Sequence, residues 1–217
     1  MTDIAHPNSI AVPTAMLKAA LVCASTEQAR YYLNGVYVDP KGFLVSTDGH
    51  RLFCGKIDIS DVPPFDGWIL PRDAIKRALT GHKADLIAIS PAHVGDLACR
   101  SVDGSFPDWR RVVPTELTGE TAQFNPAYVA DMGKIGEILF GRGKPVLSAQ
   151  IHHNGEGPAG VTFGSCEDAF AVLMPIRATY QDPTDVWATR TAPIALANKV
   201  RKPRGGADCR PNITRSN

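Results

Sequence analysis

One pattern of secondary structure occurs three times along this 217-residue chain and constrains its fold more than any other feature. Each occurrence predicts a strand, then a helix that begins at a proline (Pro13, Pro71 or Pro126), then further strands. Proline is tolerated in the first turn of a helix, where its missing N–H breaks no hydrogen bond. The units are roughly 55 to 60 residues long, and such recurrence indicates repeats that bury their apolar faces against one another.

Apolar stripes support the three helices. The first helix is predicted to run for about 15 residues from Pro13, and the third runs from Pro126 to about Phe140 with Asn125 as its cap. Strands are predicted at 9–12, at three places within 36–59, and at 67–70, 85–90, 95–101, 121–124, 146–151, 160–163 and 169–176. The short strands separated by turns indicate antiparallel sheets, and the fold class is therefore α+β.

Two tight turns join the strands within 36–59. Asp39-Pro40-Lys41-Gly42 predicts the first turn, and Asp48-Gly49 is suited to a two-residue hairpin. Phe43 and Val45 alternate with Leu44 and Ser46, as on a strand with two different faces. These residues fit an ordinary meander with a polar tip, and they equally fit a pocket with residues 47–52 as one side.

Composition limits the compartment and the partners. The 23 Lys and Arg residues nearly balance the 22 Asp and Glu residues, so any surface that binds nucleic acid must be local. Five cysteines without CxxC spacing predict reduced thiols in a cytoplasmic protein and no zinc site. No signal peptide and no apolar run of membrane-spanning length is recognised, so we expect a cytoplasmic protein with no membrane partner.

Several stretches resemble one protein family. The runs RYYLNGVYV and VSTDGHRLFC, and then DGSFPDWRRVVP, resemble the middle domain of the bacterial DNA sliding clamp, the beta subunit of DNA polymerase III. The later runs FNPAYVADM and AVLMPIR resemble the second half of that clamp's last domain. The resemblance implies a shortened clamp-like protein. Residues 1–115 would form a middle-like domain of two units, 116–178 half of a last-like domain, and 179–217 a basic, flexible tail.

The resemblance also implies a fold and a function. Sliding-clamp repeats place antiparallel sheets outside and helices inward, around double-stranded DNA that is held without reading its sequence. The expected function is that of a processivity factor in DNA replication, with DNA polymerase, clamp-loader or repair proteins docking through short linear motifs. Counting units suggests a homo-oligomer, with a tetrameric ring as one hypothesis. Alternatively, the tail could cover the exposed edge of the odd half-domain and leave a monomer or an open assembly. The alternative function is an adaptor or decoy that binds clamp-interacting peptides, or the host clamp, without encircling DNA.

The family's peptide-binding pocket carries over to positions in three separated segments. Apolar members would bind a peptide's apolar anchors, Gly49 would let the peptide approach the backbone, and the arginines would hold its polar groups. The same positions could instead be only strand residues of the core. The predicted pocket comprises Leu33, Thr47, Gly49, His50, Arg51, Leu52, Pro107, Arg111, Val112, Ser148, Val172, Leu173, Met174, Pro175, Ile176 and Arg177.

Contact with DNA is expected from cations on helical faces, which would meet phosphates without reading sequence as in the clamps that the chain resembles. The resemblance also places two tyrosines where the family has aromatic residues near the DNA path. The alternative for each cation is a solvated helix face. The basic tail could likewise add salt-sensitive DNA affinity or only solubility. The predicted DNA-binding residues are Lys18, Tyr31, Tyr32, Lys76, Arg77 and Lys134.

Catalysis is not expected. His152-His153 and Cys166-Glu167-Asp168 match no zinc motif, and no GxSxG, HExxH or phosphate-binding loop is present. We therefore predict no catalytic residues, no metal site and no cofactor.

Overall fold

The computed structural model of the chain describes residues 9–141 and 149–177, and the elements below are those of the described part. The tail, Ser148 and the first residues of the strand predicted at 146–151 lie outside it. The first repeat contains β1 (Ile10–Pro13), α1 (Thr14–Cys23), β2 (Gly35–Asp39), β3 (Phe43–Thr47) and β4 (Arg51–Lys56). The second contains β5 (Trp68–Pro71), α2 (Arg72–Leu79), β6 (Leu86–Ser90), β7 (His93–Val94) and β8 (Leu97–Ala98). The third contains α3 (Pro126–Phe140), β9 (Gln150–His152), β10 (Ala159–Phe163) and β11 (Cys166–Leu173).

The first two repeats exchange their first strands. β1 of the first repeat pairs with β6 of the second, and β5 of the second pairs with β2 of the first. Both pairings are antiparallel, and α1 packs against α2. Each of these two repeats thus completes the other's sheet, as expected for repeats that cannot bury their apolar faces alone.

The third repeat extends the sheet of the first. β11 pairs antiparallel with β4, from Ala169 opposite Gly55 to Leu173 opposite Arg51. The described strands therefore form a seven-stranded sheet, β5-β2-β3-β4-β11-β10-β9, and a four-stranded sheet, β1-β6-β7-β8. On one face of the larger sheet α3 packs against α1. The first and third repeats therefore share a core as well as a ladder of hydrogen bonds.

The alternation predicted for β3 is confirmed. Leu44 belongs to the large core that contains the helices, and Ser46, on the same face, donates a 2.5 Å hydrogen bond to the Ala20 carbonyl of α1. Val45, on the opposite face, packs with Trp109 of the segment that follows β8. Both faces of the sheet are therefore covered at β3, one by helices and the other by the segment 106–113.

The structure corrects two local predictions, one for the β3–β4 turn and one for the strand at 95–101. Thr47 pairs with Leu52, so the two central residues of the β3–β4 turn are Gly49 and His50 rather than Asp48 and Gly49. Gly49 has φ +92°, which glycine adopts without steric cost. The strand predicted at 95–101 is instead the short hairpin of β7 and β8.

The prolines have two different roles. Pro126 is the first residue of α3, and the Asn125 side chain accepts a 3.0 Å hydrogen bond from the Ala127 N–H, which confirms the predicted cap. Pro13 and Pro71 instead end the strands that precede α1 and α2. α1 ends at Cys23, short of the predicted length, because Ala24 is extended and the Ser25 N–H bonds the Leu33 carbonyl.

The pairing of β5 with β2 predicts that substitution by alanine will change stability very differently at two glycines in strands. A Cβ added to Gly35 in β2 would lie 2.2 Å from the Leu70 carbonyl oxygen of β5, which is backbone and cannot move aside cheaply. We expect Gly35→Ala to lower the free energy of unfolding by about 1–3 kcal/mol, as overpacking does. Chemical denaturation monitored by circular dichroism measures the effect.

The matched control is Gly160→Ala in β10, where the nearest atom to the added Cβ would lie 3.9 Å away. This variant should be neutral, or more stable by at most about 1 kcal/mol, because alanine loses less backbone entropy on folding. Equal losses of stability in the two variants would contradict the close approach of β2 and β5.

Candidate functional site

A cavity of about 250 Å³ opens where three segments far apart in sequence meet. One side comes from residues 30–33 and the β3–β4 hairpin, another from the segment 107–112, and the third from the end of β11. The lining residues are Arg30, Tyr32, Leu33, Thr47, Gly49, His50, Arg51, Leu52, Pro107, Asp108, Trp109, Val112, Val172 and Met174.

The base of the cavity is apolar because two sheet strands contribute it together. Leu52 of β4 and Val172 of β11 are opposite each other in the ladder, and both are buried. Just beyond β11, the Met174 N–H donates a 2.8 Å hydrogen bond to the His50 carbonyl, which brings the half-buried Met174 side chain to the opening. An apolar base with a flexible methionine at its edge suits apolar side chains of varied shape.

Arg51 links the hairpin to α3. Its Nε lies 3.0 Å from Asp48 Oδ2, its Nη1 pairs with Asp131, and its guanidinium lies 4.7 Å from the centre of the Tyr128 ring. Asp131 also receives Lys134 Nζ at 2.6 Å. The charge of Arg51 is therefore already compensated, and its main role in this structure is to hold the third repeat against the hairpin.

The segment 106–113 is fixed by a buried carboxylate. Asp39 accepts hydrogen bonds from Trp109 Nε1 at 3.1 Å and from both terminal nitrogens of Arg110 at 2.9 and 3.1 Å. The Lys41 N–H adds a further bond at 2.8 Å. Burial raises the pKa of Asp39, but the Arg110, Lys41 and Trp109 hydrogen bonds outweigh it and hold the pKa below its usual value.

Aromatic contacts complete this attachment. Phe106 stacks on Tyr37 with ring centres 4.8 Å apart, and Trp109 meets Phe43 edge-on at 5.6 Å. Tyr37 and Phe43 come from neighbouring strands on the same face of the sheet. The segment that carries Pro107, Asp108 and Val112 is thereby held in one position, as a preformed binding pocket requires.

The cavity brings together ten of the predicted pocket residues. Leu173 is buried on the opposite face of β11, as strand alternation requires, while Ile176 and Arg177 are exposed beyond the strand. Arg111 and Pro175 do not line the cavity, and Ser148 lies outside the described residues. The predicted residues that line it are Leu33, Thr47, Gly49, His50, Arg51, Leu52, Pro107, Val112, Val172 and Met174.

Sequence reasoning missed Arg30, Asp108 and Trp109 as lining residues and placed Tyr32 on the DNA path instead. It assigned Gly49 to a close approach by a peptide, but the group against Gly49 is Arg30, whose Nη1 would lie 2.5 Å from an added Cβ. The sequence does contain a hint of the buried ion pair. An aromatic and a basic residue are adjacent at Trp109-Arg110, and the acidic Asp39 lies in a predicted turn.

The predicted DNA-binding cations lie on three helices. Lys18 of α1, Lys76 and Arg77 of α2, and Lys134 of α3 are exposed, although Lys134 pairs with Asp131. Tyr31 is 54% exposed and meets Tyr32 edge-on with ring centres 5.9 Å apart. The helices thus present cations to solvent, while one of the two tyrosines belongs to the cavity.

His153 and Cys23 take structural positions. The His153 ring accepts a 3.0 Å hydrogen bond from the Ala122 N–H, and Cys23 is a buried free thiol whose pKa is raised to about 12 by its burial. Within 9–141 and 149–177, no group of three His, Cys, Asp or Glu residues could hold a metal ion. In the same ranges, no helix is long and apolar enough to span a membrane.

Repeats that exchange first strands, with a further repeat added through β11, define the sliding-clamp class of fold. The structure of the beta subunit of DNA polymerase III from Caulobacter crescentus superposes with a TM-score of 0.62 at 21% identity, covering 82% of this chain and 68% of that one. The beta subunit from Thermotoga maritima also gives 0.62, at 15% identity, covering 82% and 68%. The sliding clamp of Bartonella birtlesii bound to griselimycin gives 0.57 at 21% identity, covering 82% and 69%.

In sequence, the chain is similar to bacterial beta sliding clamps. The chain is 36% identical to that of Caulobacter vibrioides over 144 residues, covering 58% of this chain and 38% of the relative. It is 37% identical to that of Escherichia coli K12 over 112 residues, covering 46% and 31%. The chain therefore spans roughly a third of the length of the curated relatives it matches. No protein-family model matches the chain. The resemblance to the bacterial sliding clamp is confirmed in both sequence and fold.

The buried Asp39 predicts a pH-dependent contribution to stability. Because the folded pKa of Asp39 is lowered, its stabilisation is fully present above the unfolded value of about 3.9 and is lost as the pH falls through the folded value. We expect Asp39→Asn to lower the free energy of unfolding at neutral pH by about 1–3 kcal/mol. Denaturant titrations of both proteins at neutral and acidic pH measure the difference.

The difference between wild type and Asp39→Asn should shrink as the pH falls below about 4. Asp103→Asn is the control, because Asp103 is exposed, and it should change stability little at any pH. A difference for Asp39→Asn that stays constant across this range would contradict the ionised, hydrogen-bonded carboxylate.

Proposed function

We propose that the chain is a sliding-clamp-like DNA processivity factor that docks polymerase, clamp-loader or repair proteins through the cavity described above. The observation that carries the proposal is the meeting of three separated segments around one apolar cavity, at positions carried over from the clamp resemblance. A clamp of the same fold from Bartonella birtlesii binds griselimycin, which supports a ligand-binding role for this fold.

The cavity suits part of a peptide rather than a large cofactor. At about 250 Å³ it is smaller than the usual small-molecule pocket, so it would take one or two apolar side chains while the rest of the peptide lies outside. Leu52, Val172 and Met174 would contact those side chains. Arg30 and His50 at the opening are placed to meet polar groups of the peptide.

The helices supply the second part of the function. Lys18, Lys76 and Arg77 project into solvent from helices that pack side by side. Exposed cations of this kind attract phosphates whatever the base sequence, which suits a protein that moves along double-stranded DNA. We propose that α1 and α2 face the duplex and that the chain acts as a homo-oligomer, without catalysing a reaction.

An adaptor or decoy is the second candidate, and the number of repeats favours it. Three repeats are present among the described residues, and the third has no mate with which to exchange strands. A chain with the cavity but without a closed ring would bind clamp-interacting peptides, or the host clamp, and would not hold DNA.

Docking through the cavity predicts that Met174→Glu weakens peptide binding at least about tenfold, or about 1.4 kcal/mol, because the new charge lies beside an apolar base. Fluorescence polarisation with a labelled clamp-binding peptide of a replicative polymerase measures affinity, and griselimycin serves as the competitor. Leu117→Glu is the control, because Leu117 is 46% exposed and outside the cavity. Equal affinity of wild type and Met174→Glu would contradict docking at this site.

If the protein encircles DNA, its retention on DNA should depend on whether the DNA is a closed circle. After loading, the protein should remain with closed circular DNA through gel filtration at high salt, where electrostatic contacts are screened, and should leave once the circle is linearised. Retention is read by quantifying protein that co-elutes with the DNA. A protein that binds the peptide but is never retained on circles would favour the adaptor or decoy.

A further inference from the structure

We infer that the third repeat forms a twofold interface with the third repeat of a second copy of the chain, and so completes a domain like that of the first two repeats. The partner strand of each copy would be the segment 121–124, and its acceptor would be the free edge of β9 in the other copy. This interface specifies the homo-oligomer of the proposed function, although the internal repeat alone carries it.

The first two repeats show what a completed domain requires. β1 lies along β6, from Ile10 opposite Ile89 to Pro13 opposite Leu86, and β5 lies along β2, from Trp68 opposite Val38 to Pro71 opposite Gly35. In both cases the strand just before a helix adds to the first strand of the other repeat's meander. The exchange is reciprocal, so two similar repeats satisfy each other's sheet edges.

The segment 121–124 is placed for such an exchange. In the second repeat, the Val102 N–H donates a 2.9 Å hydrogen bond to the Ile69 carbonyl of β5. In the third repeat, the Ile176 N–H donates a 2.7 Å bond to the Gln123 carbonyl, at the corresponding point before α3. The segment therefore sits relative to its own repeat as β5 does. The strand predicted at 121–124 is nevertheless not formed, since in the described part of the chain no strand lies beside it.

Within 9–141 and 149–177, no strand occupies the acceptor edge either. β9 pairs with β10 through Gln150, Ile151 and His152, and it ends the seven-stranded sheet as described. β9 corresponds to β2 and β6, the first meander strands that receive a neighbour in the first two repeats. Unpaired edges of this kind favour association with another strand.

In the part of the chain that the structure describes, one face of the helix beside these strands is uncovered. Val129 is 37% exposed, and a Cβ added to Gly133, one helical turn further on, would meet nothing within 4 Å. Residues four apart share a helix face, so an apolar side chain and a glycine lie together toward solvent. In the pair formed by the first two repeats, α1 packs against α2. The α3 helix of a second copy would cover the exposed face of α3 in the same way.

A second copy fits better than an unrelated chain because the third repeat offers both halves of the exchange. Among the described residues, it carries at once a pre-helix segment that lies beside no other strand and a first meander strand with one unpaired edge. A twofold axis uses both in both copies, which is the isologous arrangement typical of homodimers. A heterologous partner would need to present the same pair of features.

The test is the mass of the full chain by sedimentation velocity over a range of micromolar concentrations. Wild type should form a dimer, or an even-numbered assembly that contains it. Gly133→Trp should halve the mass, because the indole fills space that is open within one copy but would be occupied by the second α3. Leu86→Trp is the control, since Leu86 is 55% exposed on the other sheet, and it should keep the wild-type mass.

Folding is checked independently by circular dichroism and by peptide affinity, which Gly133→Trp should retain because Gly133 does not line the cavity. In addition, Gly133→Cys should form a disulfide-linked dimer on mild oxidation, above the background of wild type, whereas Leu86→Cys should not. The inference is overturned by a monomeric wild type at every concentration, by an unchanged mass for Gly133→Trp, or by a mass increase that requires an added bacterial clamp.

Discussion

The pairing of β11 with β4 is the interaction on which the candidate site depends. It places Val172 opposite Leu52, and it brings the chain beyond β11 to the His50 carbonyl, where Met174 closes the cavity. The residues paired here are more than 110 positions apart, so closing this loop costs considerable chain entropy that local contacts cannot offset. The ladder is reinforced by the ion pairs of Arg51 with Asp48 and Asp131, which join the hairpin to α3.

The other side of the cavity depends on a different kind of contact. The segment 106–113 contributes no strand to the sheet, so its position rests on side chains. A buried carboxylate is costly unless it is paired and hydrogen-bonded, and Asp39 has both a bidentate guanidinium and an indole N–H. Such a carboxylate tolerates few alternative arrangements of its partners, and the aromatic rings of Tyr37 and Phe43 restrict them further. The result is a side of the cavity that exists before any ligand arrives.

Sequence patterns predicted the structural features that depend on residues close together in the chain. The alternation in β3, the Asn125 cap and the order of three repeats all reflect periodicity or local hydrogen bonding, and the structure confirms them. Contacts between distant residues were beyond such patterns. Nothing local indicates that Arg51 meets Asp131 on α3, or that Arg30 lies against Gly49. The segment 121–124 has the composition of a strand, but a strand also requires a neighbour, and composition cannot supply one.

The cavity and the inferred interface between copies use opposite edges of the same repeat. Within the third repeat, β11 is committed to β4 and to the cavity, while β9 lies two strands away at the far end of the sheet. α3 is similarly divided, because Tyr128 and Asp131 contact the hairpin residues while Gly133 is open to solvent. Association through β9 therefore need not occlude the cavity. An assembly built in this way would retain one docking site per chain, because each cavity is formed entirely by residues of a single copy.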